Sequence, residues 1–158
     1  MRWPFFRQSA SQDLVTSQLF NEKTFYQKFL RDIVYCKTEL IIESPFLTTR
    51  RLNIMLPSFE KLVRRGVKIV VNTRQPGEHE EYLKSESEIA LSLLQKIGVI
   101  VLFTGGHHRK LAIIDRTVLW EGSLNILSYG QSCEVMRRIS SPQMAQDMVR
   151  FVGIERHI

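Results

Sequence analysis

The sequence has few cysteines and no long apolar run, and both absences narrow the class of protein. Cys36 and Cys133 are too few and too isolated for a disulfide framework or a Cys/His zinc site. No apolar stretch reaches the ~18–20 residues that a membrane helix needs. Residues 1–7 include Arg2 and Arg7 and lack the apolar core of roughly 7–15 residues that marks a secretory signal. We therefore expect a cytoplasmic protein with no membrane partner.

Length and composition are those of an ordinary globular chain. The 158 residues fit one domain, and hydrophobic residues make up 44% and charged residues 24% of them, which excludes disordered and collagen-like classes. Lys and Arg number 22 against 16 Asp and Glu, for a net charge of +6. This excess of positive charge favours a polyanionic partner.

Helices and strands alternate along the first two thirds of the chain. Apolar side chains recur at helical spacing over residues 22–35, and further helices are predicted over 52–65, 80–97 and 142–151. We expect the second helix to begin near Pro57, because proline is tolerated in a first turn. Short apolar runs at 40–42, 67–71 and 99–103 predict buried strands. This alternation predicts an α/β sandwich with a largely parallel sheet.

The pattern changes in the last third of the chain. Strands predicted at 109–114 and 117–120 are separated only by Asp115 and Arg116, too short a link for a crossover helix, so we expect an antiparallel hairpin. A last strand is predicted at 133–139. For domain organisation we predict an irregular arm over residues 1–20 and a single catalytic domain over 21–158.

One segment combines the residue types needed to handle a phosphate. His108 and Lys110 lie two apart on a predicted strand, so they project from one face, and Arg109 points the other way. Ser123 and Asn125 repeat the same spacing on the next segment. Together they supply a nucleophile or base, a cation, a hydroxyl and an amide, a set that suits a phosphate whose charge grows in a transition state. The following spacing collects them: His108-x-Lys110-x4-Asp115-x6-Gly122-Ser123-x-Asn125.

This spacing resembles the HKD motif of the phospholipase D superfamily, in particular its small one-motif bacterial endonucleases. Six fixed positions with the right spacers arise by chance on the order of a few times per million chains. The resemblance implies an α-β-α sandwich, with a mixed sheet flanked by helices. It covers roughly residues 22–155 and leaves the first 20 residues unmatched.

The resemblance also implies a mechanism that uses no metal ion and no other cofactor. In the family, the motif histidine attacks phosphorus and forms a covalent phosphohistidine, and a second motif histidine protonates the leaving oxygen. The roles that carry over are as follows: His108 as nucleophile, Lys110 and Asn125 on the phosphoryl oxygens with Ser123 assisting, Asp115 holding the motif through hydrogen bonds, and Glu134 orienting the histidine ring. Because this chain has a single HxK sequence, we expect a homodimer that shares one active site.

Several further side chains are candidates for substrate binding. Gly122 removes a side chain where something must approach closely. Glu43 and Ser44 follow a predicted strand, where α/β ligand sites tend to lie, although a plain turn also explains them. Arg50, Arg51 and Arg74 follow strand ends and are our candidates for contacts with a phosphate backbone.

Other residues near the motif or the chain start have two interpretations each. His107, offset by one from the motif histidine, is expected to face elsewhere, and only its proximity favours a substrate contact. Trp3, Phe5 and Phe6 could stack on bases, or pack against the domain or a partner chain.

These observations favour a phosphodiesterase acting on nucleic acid, a nuclease with little sequence specificity. The chain shows no helix-turn-helix or zinc finger that would read bases in a groove. One alternative is a phospholipid hydrolase or transferase of the same superfamily, which would need a membrane-facing surface. Another is a binding or nuclease domain excised from a larger DNA-processing protein.

Overall fold

A seven-stranded sheet organises the molecule in the computed structural model, which describes residues 15–158. The elements run in the following order: β1 Thr16–Asn21, α1 Phe25–Val34, β2 Glu39–Glu43, α2 Thr49–Arg64, β3 Lys68–Thr73, α3 Glu81–Lys96, β4 Ile100–Phe103, β5 Leu111–Ile114, β6 Val118–Gly122, β7 Val135–Ser140 and α4 Pro142–Val152. Short 3-10 helices occupy Pro76–Glu78 and Ile154–His157. None of the helices within residues 15–158 is long and apolar enough to cross a membrane.

The strands lie in the order β1-β7-β6-β5-β2-β3-β4. Only β2 with β3 and β3 with β4 pair in parallel, whereas the other four neighbouring pairs are antiparallel. The sheet is therefore mixed, as the family resemblance implies, and the expectation of a largely parallel sheet is wrong. Parallel pairing stops where the chain runs straight from β4 to the β5–β6 hairpin without a crossover helix.

Helices cover both faces of the sheet. One core packs α1, α2 and α3 against alternate residues of the strands, including Leu40, Ala112 and Trp120. The other core packs α4 against the opposite face, through Ile41, Ile113 and their neighbours. Strands β2 and β5 bury side chains on both faces, which is why the centre of β2, residues 40–42, and all of β5 are continuous apolar runs. The α-β-α sandwich is confirmed.

The start of helix α2 differs from the expectation. Helix α2 begins at Thr49, so Pro57 lies in its interior and not near its start. Both Pro57 and Asn53 are exposed, so the Asn53 carbonyl that loses its helical partner faces water, which lowers the cost of the proline.

The end of the predicted arm is not irregular: its residues 16–20 belong to strand β1, which pairs with β7. Residues 1–14, including Trp3, Phe5 and Phe6, lie outside the described residues. The boundary of the predicted domain over 21–158 stays a prediction.

Candidate active site

The two halves of the phosphate-handling segment meet at one edge of the sheet. Strands β5 and β6 are antiparallel neighbours, and just beyond their ladder the Gly122 amide donates to the Lys110 carbonyl at 3.2 Å. The backbone that carries His108 and Lys110 therefore runs beside the backbone that carries Gly122, Ser123 and Asn125. The hairpin predicted from the short link at Asp115 and Arg116 is what brings these halves together.

His108 is exposed, and within residues 15–158 its ring makes no hydrogen bond to another side chain. Lys110 is half-buried, and its Nζ donates to the His108 carbonyl at 2.7 Å, which holds the ammonium beside the histidine. An accessible imidazole next to a fixed cation suits attack on a phosphate diester, because the cation offsets the negative charge of the group attacked.

Ser123 connects the motif to the start of β7. Its amide donates to the Val135 carbonyl at 2.9 Å, and its Oγ accepts the Val135 amide at 3.0 Å. The hydroxyl donates to the Glu134 carboxylate. Within the described residues Glu134 makes no hydrogen bond to His108, so in the single chain this carboxylate holds Ser123, and its predicted role toward the histidine ring stays a prediction.

Glu134 is itself held in place by Glu22, three residues before the start of α1. Its amide donates to the Glu22 carboxylate at 2.9 Å. This hydrogen bond is the main cause that lowers the pKa of Glu22 below its usual value. Glu22 therefore stays ionised and anchors the segment that follows the motif.

Asp115 lies at the opposite end of β5 from Lys110 and does not join the cluster. Its Oδ1 accepts the amides of Thr38 and Glu39 at 2.8 and 3.1 Å and the Thr38 hydroxyl at 2.8 Å, and its Oδ2 accepts the Lys37 amide at 2.9 Å. Partial burial alone would raise its pKa, but these hydrogen bonds outweigh that effect and lower the pKa to about 2. The predicted role in holding the motif is therefore indirect: Asp115 ties β5 to the loop before β2.

Strand β7 explains why residue 122 has no side chain, and the predicted substrate contact of Gly122 stays a prediction. A Cβ at this position would lie 2.1 Å from the Val135 carbonyl oxygen and 2.9 Å from the Met136 Cα. The close approach inferred from the sequence is real, but the approaching group is the neighbouring backbone.

Ser44 is also structural, and its predicted substrate contact is wrong. It is fully buried, its hydroxyl donates to the Phe46 carbonyl at 2.9 Å, and it accepts the Leu127 amide at 3.1 Å. The latter contact fixes the loop that follows Asn125. The plain-turn interpretation of Ser44 is the one that the contacts support.

Arg74 is engaged by a neighbouring acid. Its Nε donates to Glu78 at 3.0 Å, and the same Glu78 oxygen accepts the Gly106 amide at 3.0 Å. The Gly106 hydrogen bond, followed by that from Arg74, lowers the pKa of Glu78. Arg74 therefore helps to hold the loop before His108, and its charge is offset by Glu78 rather than directed at a substrate.

His107 and Glu43 also lie beside the motif. His107 is only 6% exposed, and neither ring nitrogen has a hydrogen-bond partner within the described residues. Burial is the main cause that lowers its pKa, so the ring is neutral near pH 7. Glu43 is fully buried and pairs with Arg109, which precedes strand β5. Neither His107 nor Glu43 offers a group to a substrate.

A cavity of about 240 Å³ opens beside Asn125. The residues that line it come from the start of α1, the first turn of α2 and the loop after the motif: Glu22, Tyr26, Arg51, Leu124, Asn125, Ser128, Tyr129, Gly130, Ser132 and Glu134. Of the three arginines named as candidates, Arg51 is the one that lines this cavity. Arg50 lies next to it, with its guanidinium 3.6 Å from the Tyr129 ring centroid.

Sequence reasoning missed Glu22, Tyr26 and Tyr129. The loop that carries Tyr129 has a readable signal, because it directly follows Asn125 of the motif. Glu22 and Tyr26 lie more than 80 residues before the motif and reach it only because β1 and α1 pack beside β7 and α2. Within residues 15–158, no group of three or more His, Cys, Asp or Glu side chains is placed to hold a metal ion.

The sequence of the chain matches a known protein family over most of its length. A family model described as cardiolipin synthase, PLD-like domain, matches residues 29–152. These residues include the whole motif from His108 to Asn125 as well as Glu134. No curated protein sequence matches the chain.

Solved structures with the same fold are numerous. The phospholipase D family member Nuc from Salmonella typhimurium is 16% identical, with a TM-score of 0.71 over 87% of this chain and 91% of that one. NucT from Helicobacter pylori is also 16% identical, with a TM-score of 0.67 over 87% and 92%. The polyphosphate kinase from Porphyromonas gingivalis is 11% identical, with a TM-score of 0.68 over 88% of this chain and 26% of that one. The fold is shared across different chemistries, so the substrate must be argued from the site.

Proposed function

We propose that this chain, which belongs to the phospholipase D-like superfamily of phosphodiesterases, is a metal-independent nuclease that hydrolyses the phosphodiester bonds of DNA or RNA. The observation that carries the proposal is the hydrogen bond from the Gly122 amide to the Lys110 carbonyl. This hydrogen bond joins the segment just before β5, which carries His108 and Lys110, to the end of β6, which Ser123 and Asn125 follow.

His108 acts as the nucleophile. A ring nitrogen attacks phosphorus, an N–P bond forms, and the bond from phosphorus to the leaving oxygen breaks. Lys110 and Asn125 donate to the phosphoryl oxygens as their charge grows, and Ser123, fixed by Glu134, assists them. Water then attacks phosphorus and releases His108, so the enzyme returns to its starting state after one hydrolysis.

The leaving oxygen needs a proton, and this chain has one HxK sequence. We propose that His108 of a second copy supplies the proton and later takes one from the attacking water. Two copies related by a two-fold axis would bring the two motifs face to face, and the exposure of His108 leaves it accessible to such a partner. The working unit is then a homodimer with one shared active site.

Nucleic acid is the favoured substrate because of the charge of the chain. The net charge is +6, and Lys110, at the site, makes no ion pair with an acid within residues 15–158. Unpaired cations attract a phosphate backbone without regard to base sequence. The description of the matching family names a lipid enzyme, so a phospholipid is the alternative substrate.

One experiment separates these substrates. The protein is incubated in excess EDTA with single-stranded DNA, double-stranded DNA, RNA and phosphatidylglycerol vesicles. We expect cleavage of nucleic acid to persist in EDTA and to be inhibited by vanadate or tungstate, which mimic the phosphate. Cleavage of the lipid alone would show that the substrate is a phospholipid and not a nucleic acid. Loss of all cleavage in EDTA would contradict the metal-independent mechanism.

The shared site is tested by mass and by mixing. Light scattering should give a particle of about twice 18.5 kDa. Mixed dimers of wild-type and His108→Ala chains should be inactive, since each site needs both histidines. A strictly monomeric particle with full activity would contradict the proposal.

A further inference from the structure

The cavity beside Asn125 has walls suited to a planar ligand. The Arg51 guanidinium lies 3.6 Å from the Tyr26 ring centroid and 5.6 Å from that of Tyr129. Burial raises the pKa of Tyr26 to about 12, and its hydroxyl donates to the Ile126 carbonyl at 2.9 Å, so this neutral ring is a fixed support for the guanidinium stacked on it. Tyrosine rings and arginine guanidinium planes are the surfaces on which proteins stack unpaired nucleobases.

Two polar atoms of the cavity residues lack partners. Arg51 Nε and Asn125 Oδ1 are buried, and neither makes a hydrogen bond within the described residues. One is a donor and the other an acceptor, and buried polar groups in folded proteins are nearly always satisfied. A nucleobase edge offers donors and acceptors side by side, which are the kinds of group that these two atoms lack.

The charges of the cavity favour a base over a second phosphate. Arg51 is the only cation among the described residues that line the cavity, and Glu22 and Glu134 supply two carboxylates. Glu22 is held ionised by its hydrogen bond to the Glu134 amide. A lining with two negative charges and one positive charge repels a phosphate, whereas a neutral base with mixed donors and acceptors is accepted.

We propose that this cavity binds the unpaired nucleobase of a nucleotide next to the scissile phosphate. The inference rests on the proposed function, because Asn125 serves both the cavity and the phosphate site. Two hydrogen bonds to Thr48 fix the loop that carries Tyr129 at the wall of the cavity. The Tyr129 amide donates to Thr48 Oγ1 at 2.8 Å, and the Thr48 amide donates to the Leu127 carbonyl at 3.0 Å. A base can enter only when it is unpaired, so single strands should bind better than duplexes.

The test measures binding rather than cleavage. His108→Ala protein is titrated with fluorescent single-stranded oligonucleotides in which one abasic site is moved one nucleotide at a time. We expect one or two positions at which the abasic substitution weakens binding at least about fivefold. Equal affinity for the intact strand and for every abasic strand would overturn the proposal.

Arg51 variants distinguish a base contact from a phosphate contact. In the His108→Ala background, Arg51→Lys keeps the positive charge and loses the planar guanidinium, so it should abolish the abasic penalty. Arg51→Met should do the same. Arg64→Met removes an exposed arginine of the same helix, paired only with Glu60 at 3.8 Å, and should preserve the penalty.

Two results separate failure of the inference from failure of the function. If Arg51→Met weakens intact and abasic strands equally, Arg51 binds phosphate, and the base pocket is wrong although the nuclease proposal stands. If the wild-type protein cleaves no nucleic acid while the abasic penalty is present and depends on Arg51, the pocket is right and the nuclease proposal is wrong.

Discussion

The guanidinium of Arg109 forms a two-point ion pair with the carboxylate of Glu43, whose side chain is fully buried. The second contact joins Nη2 and Oε1 at 2.9 Å, and Asn72 Nδ2 also donates to Oε1, at 2.8 Å. Hydrogen bonding to Glu43 raises the pKa of Arg109 further above its already high value. The arginine between the two motif residues is thus committed to the fold, and Lys110 is the motif cation left for substrate.

Arg109→Met should destabilise the protein by about 3 kcal/mol, because it leaves the buried Glu43 carboxylate with Asn72 as its remaining side-chain partner. Urea unfolding followed by circular dichroism measures the change. Arg150→Met is the matched control, since Arg150 and Asp147 are both exposed, and it should shift stability by less than about 0.5 kcal/mol. Equal effects of the two substitutions would show that the Glu43 pair adds nothing to the fold.

The adjacent histidines should separate catalysis from stability. His108→Ala should reduce kcat by more than about a thousandfold, because it removes the nucleophile. His107→Leu should keep kcat within about tenfold and alter the pH dependence of stability instead. Both are measured on a nucleic acid substrate, with urea unfolding at each pH, and a larger kcat loss at His107 than at His108 would reverse the assignment.

The sign of the pH effect at His107 follows from its buried, neutral ring. Its folded pKa lies below 6.5, so below that pH the unfolded chain binds a proton that the folded chain resists. Stability of the wild-type protein should therefore fall as the pH drops from about 7 to 5, and the His107→Leu variant should lose less over this range. A variant that loses more would show that folding raises the pKa of His107.

Asp115→Asn should lower stability at neutral pH and reduce the dependence of stability on pH in a more acidic window than that of His107. With a folded pKa of about 2, Asp115 stabilises the folded state above its unfolded pKa of about 3.9, and this contribution disappears as the pH falls through 2. The asparagine also turns a donor toward the Lys37 amide, so we expect a loss of about 1–2 kcal/mol near pH 7 after allowing for solvent screening. Thermal unfolding between pH 7 and 2 should show a smaller pH dependence in the variant. An unchanged dependence would mean that Asp115 is not the group responsible.

Gly122→Ala should disrupt the pairing of β6 with β7, because its Cβ would lie 2.1 Å from the Val135 carbonyl oxygen. We expect a loss of about 3 kcal/mol or more, accompanied by loss of activity, as Ser123 is displaced. Gly77→Ala is the control, since a Cβ there meets nothing within 4 Å, and it should be neutral in both assays. Wild-type stability in the Gly122 variant would mean that β7 can move aside.

The elements that carry the motif were predictable because their signals are local. The short link at Asp115 and Arg116 predicted the β5–β6 hairpin. Of the residues in the spacing from His108 to Asn125, Lys110 and Gly122 are hydrogen-bonded at the open end of that hairpin. Each of these patterns lies within about 20 residues of sequence, where periodicity and turn length are decisive.

The errors concern contacts between distant segments. Nothing in the local sequence shows that Ser44 fixes the loop after Asn125, or that β7 passes against Gly122. Arg74 was expected to face substrate, but its charge is offset by Glu78, four residues on, in a turn whose shape the sequence did not indicate. Glu22 and Tyr26 reach the site only through packing of α1, which periodicity cannot locate.

Strand β5 has one more consequence for how the protein loses activity. All four residues of Leu111–Ile114 are buried, and β2 and β6 pair with the strand on its two sides. Amide protons in such a strand exchange with solvent only when the whole domain opens, so the backbone beneath His108 and Lys110 belongs to the last cooperative unit to melt. The backbone beneath the motif should therefore stay in place until the protomer itself unfolds, so turnover during heating should end with unfolding or with separation of the two protomers and not with local melting of β5.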